Sequence, residues 1–461
     1  VGQGDPGGGG AHQLSAGVPE VTQTLARFVV RTRREDVPAS VRREAVRSMV
    51  NFMGCALGGA RHEAVETALA ALAPFCGPPQ AAALGRAERL DCLNAALING
   101  MSAHVLDFDD THLRTLLHPG AAIAPALLAL AERAPLPGAD LLQAFVLGAE
   151  TACRVANAIC AGHNVNWYIT GTAGVIGAAA AAGRALGLDE RRMRWAFGIA
   201  ATQAAGLREM AGTMCKSFVH GRAAQNGLMA ALLAARGFTS SERAIEAPRG
   251  FAAVLAPGHD LREIVDGLGE RYEILLNTYK PHACGVVAHP AIDGCLQLRQ
   301  THALDAARIA SVRLRVHPLA LDLAGIRDPA GGLESKWSLY HSAAVALVDG
   351  QAGERQYTDA RVRDPVVAGL RARVNARADA SLREDEARVG ITLTDGRRLE
   401  RHVRHAAGSA DNPMTDAALD AKFRALAADV LPGDRLEALL RKCRAIAGLG
   451  DAAELVRLAV P

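Results

Sequence analysis

From about residue 14 to residue 270, apolar side chains recur at three- and four-residue spacing in a background rich in alanine and leucine. "SAGVPEVTQTLARFVVRTR", "PASVRREAVRSMVNFMGCALGG" and "DERRMRWAFGIAATQAAG" share this rhythm and carry helix punctuation. The pattern predicts an all-helical region. Near residue 300 the period changes. Ile309, Val312, Leu314 and Val316 alternate in "RIASVRLRVHP", and "ARVGITLTDGRRLERHV" sets Asp395-Gly396 between two alternating runs. A strand and a β-hairpin are expected there. "SKWSLYHSAAVALVDG" and "DPVVAGLRARVNA" between them read as helices. The tail from "NPMTDAALDAKF" onward returns to helix, with Thr415 or Asp416 as its N-cap.

The expected architecture is mainly α. A large all-helical domain is built from both chain ends (residues 14–270 and 407–461), and residues 271–406 form a smaller α/β lid domain. Residues 1–13 are set aside as a disordered lead, because their glycines cannot gain enough burial to offset the cost of ordering them. The opening "VGQGDPGGGG" also lacks the basic and apolar halves of a signal peptide. A chain of 461 residues, half of them hydrophobic, exceeds what one core serves. Aromatic residues make up only 4%, so the helices must pack through small side chains.

Lys plus Arg number 51 against 48 Asp plus Glu, a formal charge of +3. That balance gives no electrostatic footprint for nucleic acid or an anionic membrane. The apolar run "AAIAPALLALA" at 121–131 is far short of the ~20 residues that span a bilayer. Nine cysteines are scattered with no CxxC pair, which weakens zinc, cluster and disulfide readings and suits reduced thiols in the cytoplasm.

The densest chemistry lies in "HVLDFDDTH", residues 104–112. It matches DxDxT, a phosphoryl-accepting aspartate motif, but helical spacing precedes it where that chemistry needs a buried strand. Asp107, Asp109, Asp110, His112 and His118 are also oxygen and nitrogen donors for a divalent cation, although no HxxxH or HExxH pair supports them. A plain helix end with solvated carboxylates is the bland alternative. Against it, His118-Pro119-Gly120 opens a helix, where free backbone N–H groups favour anions.

Two further stretches carry polar groups suited to a carboxylate, and a third is read as packing. "GTMCKSFVHGRAAQNG" presents Lys216, His220 and Arg222 in what reads as a small-residue loop running into a helix. "NTYKPHACGVVAHPAIDGC" presents Lys280, His282 and His289 at the junction of the two textures, with His289 read as a satisfied structural histidine. "WYITGTAGVIGAAAAAG" has GxxGxxG spacing, which is wrong for a dinucleotide site, so Gly171, Gly174 and Gly177 are read as close helix packing with Tyr168 at the entrance.

Taken in order, "HVLDFDDTH", "HPGA", "TGTAGVIGAAAAAG", "GTMCKSFVHGRAAQNGLMAALLA", "YKPHACGVVAHPAIDGC", "SLYHSAAVALVDG" and "NPMTDAALDAKF" resemble the MmgE/PrpD family. That family includes 2-methylcitrate dehydratases, cis-aconitate decarboxylases and an iminodisuccinate epimerase. The resemblance implies a cytoplasmic homodimer acting on a small polycarboxylate, with no metal and no cofactor, at a cleft between the two domains. By position it implies that Asp107, Thr111, His118 and Lys216 are catalytic and that Lys280 binds substrate; on this chain's own residues Tyr168 joins the catalytic set, and Arg222, His220 and His341 the substrate-binding one. Tyr168 stands where several members have histidine, and His341 where the decarboxylase has tyrosine. The leading expectation is a 2-methylcitrate dehydratase-like hydro-lyase. The alternatives are an epimerase using Tyr168 and Lys216 as opposed bases, a decarboxylase, and a non-catalytic polycarboxylate binder.

Overall fold

A computed structural model of the chain describes residues 20–163 and 166–461. The lead at 1–13 and the start of the first expected helix lie outside the described residues. The fold is mainly α, with 20 α-helices among the described residues and one four-stranded sheet. No helix among them is long and apolar enough to cross a membrane.

The helices follow the apolar spacing. In Val21–Arg31 the buried Val21, Leu25 and Val29 lie four residues apart on one face. Ala39–Gly59 runs against the tail helix Asp416–Ala427, where a Cβ on Gly54 would stand only 3.2 Å from Phe423 Cα. Thr415 caps that tail helix, its hydroxyl accepting from Ala418 N at 3.1 Å. At the centre, Gly138–His163, Ile169–Ala185 and Cys215–Ala235 pack closely. A Cβ on Gly177 would sit 2.6 Å from the Gly148 carbonyl oxygen, so this backbone approach requires glycine.

The sheet comprises β1 (Ile309–Val316), β2 (Val374–Ala378), β3 (Ala387–Leu393) and β4 (Arg398–Val403), in the order β2-β1-β3-β4. β2 runs parallel to β1, and the other neighbours are antiparallel. A register irregularity between Ile309 and Ser311 explains why Ile309 and Val312, three apart, are both buried. Gly396, at φ +86°, closes the β3–β4 hairpin. The helices His289–His302 and Leu339–Asp349 cover the sheet's apolar face.

Two local expectations differ from the structure. "DPVVAGLRARVNA" is not helical throughout: the helix ends at Arg371, and Val374–Ala378 pairs with β1, which buries Val374 completely. "GTMCKSFVHG" is not a loop over Lys216, His220 and Arg222, because the helix already starts at Cys215. Lys216 and His220 therefore share one helix face, four residues apart, and both are buried.

Candidate active site

The helix Cys92–Val105 ends one residue before the chain reverses, and Asp107 takes φ +52°, a left-handed conformation unusual for a side-chain-bearing residue. Thr111–His112 then pairs antiparallel with Asn277–Thr278. This short ladder carries Lys280 to Asp107. Its ammonium donates to Asp107 Oδ1 in a short contact and to the Asp107 carbonyl oxygen at 3.2 Å. Lys216 reaches the other oxygen, Oδ2, at 3.2 Å. Burial by itself would raise the Asp107 carboxyl, but the two ammonium groups outweigh it and hold it well below the usual carboxylate range. Lys422, from the tail, braces the assembly by donating to the Lys280 carbonyl oxygen at 2.9 Å and to that of Phe108 at 2.5 Å.

Imidazoles form the next layer. Burial depresses His104 to about 3, so its ring is neutral at pH 7. Its Nδ1 lies 2.9 Å from Asp109 Oδ2, and its Nε2 meets the Lys216 ammonium in a short contact. Nδ1–H donating and Nε2 accepting is the tautomer that satisfies both partners. His220 stacks on His104 with ring centroids 3.2 Å apart. Its Nδ1 is 3.0 Å from the Lys216 carbonyl oxygen, while its buried Nε2 has no partner. His118 stands at the head of the helix Pro119–Ala131 with its backbone N–H on Thr170 Oγ1 at 3.1 Å. Its Nδ1 donates to the Asp110 carbonyl oxygen at 2.8 Å. The same nitrogen lies 3.3 Å from Asp109 Oδ2.

Asp110 accepts from Asn277 Nδ2 at 2.7 Å and from Gly120 N at 3.2 Å. Burial, reinforced by the neighbouring Asp109, pushes its carboxyl up to about 7. Tyr168 is half-buried, and desolvation followed by the Asp107 charge holds its phenol protonated, well above its ordinary value.

A cavity of about 840 Å³ opens on this cluster, lined at its inner end by Asp107, Thr111, His118, Tyr168 and Lys280. These five of the sequence-derived residues are thus brought together. Lys216 lies just behind, 5.6 Å above the Tyr168 ring centroid and 5.0 Å from that of Trp337. It lines a narrow cleft with His104, Lys336 and Trp337. His220 sits in the imidazole layer. Arg222 is exposed, donates to Gln225 Oε1 at 2.5 Å and is not among the cavity-lining residues. His341 is buried elsewhere, its Nε2 on the Gln356 carbonyl oxygen at 2.8 Å. His289 is not a satisfied histidine: its Nε2 is buried without a partner.

The sequence reading missed several contributors. His104 was visible inside the quoted motif, but only the return of Lys216 gives it a role. Lys336 carries no local signal. It donates to the carbonyl oxygens of Leu106 at 2.7 Å and Ala283 at 2.8 Å, and burial lowers it to about 8.

The ligand atoms of His104, His118 and His220 lie within 4.8 Å of one another, close enough to share a metal ion. The near-parallel stacking of His104 on His220, and the use of both His104 nitrogens, leave that set poorly aimed at a common ion. A second set on the surface, Asp385, His405 and Asp411, has the Arg383 guanidinium 3.3 Å from His405 Nε2.

The chain matches the MmgE/PrpD N-terminal domain over residues 23–264 and the MmgE/PrpD C-terminal domain over residues 282–445. It is 27% identical to a cis-aconitate decarboxylase of Aspergillus terreus over 95% of both chains. It is also 27% identical to the cis-aconitate decarboxylase-like protein oryM of Aspergillus oryzae, over 95% of this chain and 97% of that one. Human cis-aconitate decarboxylase is similar at 27% identity over 80% of both chains.

Proposed function

The chain belongs to the MmgE/PrpD family, and from that membership we propose that it is a lyase working at the carbon α to a carboxylate of a small polycarboxylate. The observation that carries this reading is the Lys216–Asp107–Lys280 array beside His118, with Asp107, Lys280 and His118 lining the inner end of one cavity. Removing an α-proton builds negative charge on the carboxylate, and fixed ammonium groups stabilise that charge without reorganising.

Asp107 is too strongly held as a carboxylate to serve as an effective base, so its part is to fix the two lysines. His118 Nε2 takes the proton, Lys280 and Thr111 hold the substrate carboxylate, and the protonated Tyr168 donates to a departing hydroxide. A separate base and acid on one cavity suit loss of water, which makes a 2-methylcitrate dehydratase-like hydro-lyase the first reading. Decarboxylation is the second, favoured by the cis-aconitate decarboxylases among the relatives. An epimerase needs bases on opposite faces of its substrate, whereas the Lys216 ammonium stacks on the Tyr168 ring.

Proton NMR of the purified protein with 2-methylcitrate, citrate, cis-aconitate and iminodisuccinate, incubated separately, tests the reading. A new vinylic product from a hydroxy acid supports dehydration, and CO2 release from cis-aconitate moves decarboxylation first. Tight binding with no turnover across the panel would leave a polycarboxylate-binding protein instead.

A further inference from the structure

We propose that the acid taken by this site carries an apolar tail: a head of one or two carboxylates at Lys280 and His118, and a hydrocarbon arm of several carbons along Val286, Val287, Leu319 and Leu323. The proposal rests on reading the inner end of the cavity as the carboxylate site of a lyase, and three observations carry it.

The first is size. About 840 Å³ lies in the upper part of the roughly 300–1,000 Å³ range that houses drug-sized molecules, far more than a six-carbon acid fills. The second is the character of the outer wall. Val286, Leu319 and Leu323 are half-buried, each packed on one side against an apolar cluster shared by the sheet and the helix Cys92–Val105 and lining the cavity on the other, and Trp167 and Trp337 line the cavity with them. Apolar area open to cavity water is area that a hydrocarbon favourably covers. The third is charge. Both Lys216 and Lys280 are joined to Asp107 at the inner end. The rim sets Arg208 against two exposed carboxylates, Glu209 and Asp322. A rim with two carboxylates repels a third carboxylate on the substrate and leaves the middle of the cavity to something uncharged.

The test is calorimetric titration of the full chain with 2-methyl-, 2-propyl- and 2-hexylsuccinate, and with propane-1,2,3-tricarboxylate as a purely polar comparison. Covering a methylene is worth up to about fourfold in affinity. The dissociation constant is expected to fall by about two- to fourfold per added carbon and to end well below that of the tricarboxylate. Leu323→Asn and Val287→Asn should each flatten the series. Equal affinity along the wild-type series, tighter binding of the tricarboxylate than of hexylsuccinate, or a slope unchanged in both folded variants would overturn the proposal. These saturated acids have no leaving group, so the result stands apart from turnover. A steep series with no turnover of any hydroxy or unsaturated acid removes the lyase reading and keeps the tail.

Discussion

At the scale of single residues, the site is governed by one carboxylate serving two ammonium groups. Asp107 is buried with Lys216 on one oxygen and Lys280 on the other. Removing it strands two cations in the interior, and breaking a buried pair in this way costs about 3–5 kcal/mol. Asp107→Asn is therefore expected to lose stability on that scale in urea unfolding. A loss below about 1 kcal/mol would mean that the lysines find other partners. Asp110 behaves in the opposite sense. Its folded carboxyl is raised to about 7 from an ordinary value near 3.8, so its contribution to stability is fully present below about pH 4 and lost as pH rises through about 7. Replacement by asparagine removes that dependence. Asp110→Asn should gain in melting temperature relative to wild type on going from pH 5 to pH 8, and a difference between the two proteins that does not change with pH would refute the assignment.

At the scale of elements, close backbone approach is the main packing device, as the paucity of aromatic residues predicted. Gly177 has no room for a Cβ between Gly148 and Ala152, so Gly177→Ala is expected to cost about 1–3 kcal/mol through overpacking. Gly369 is an exposed residue within the helix Pro365–Arg371, and a Cβ there meets nothing within 4 Å. Gly369→Ala should instead gain about 0.5–1 kcal/mol. Chemical denaturation of the two variants checks both signs. The elements were legible where a run was long and periodic, as in Ala39–Gly59, or alternating around a turn, as in β3 and β4. Val374–Ala378 was not, because Val374 is its only fully buried residue and its strand character comes from β1 beside it. Cys215 as a helix start was hidden too, since no side-chain cap marks it.

At the scale of the whole molecule, the cavity is closed by pieces distant in sequence. The motif at 104–118 brings Asp107, Thr111 and His118 together locally, which is why those residues could be read directly. Lys216 and Lys280 arrive from 109 and 173 positions away, and only the family resemblance tied them to it. Trp337 and Lys336 had no sequence signal, because their role arises only where their segment meets the end of the helix Cys92–Val105. His341 and Arg222 show the limit of the same reasoning: a family position for the one and nearness to Lys216 in sequence for the other did not bring them to the cavity. Lys336 ties its own segment to the end of the helix Cys92–Val105 and to Ala283 through the Leu106 and Ala283 carbonyl oxygens. Lys336→Met is expected to cost about 1.5–3 kcal/mol for each charge-assisted hydrogen bond lost, read from the denaturation midpoint. The central claim is that His118 moves the α-proton while the lysines hold the developing charge. It is tested most directly by comparing wild type with His118→Asn in heavy water, following both turnover and deuterium entry at the α-carbon of whichever acid wild type converts. The account predicts a fall of about 10²–10⁴-fold in both rates with the acid still bound. Turnover and exchange that persist at wild-type rates in the variant would contradict it.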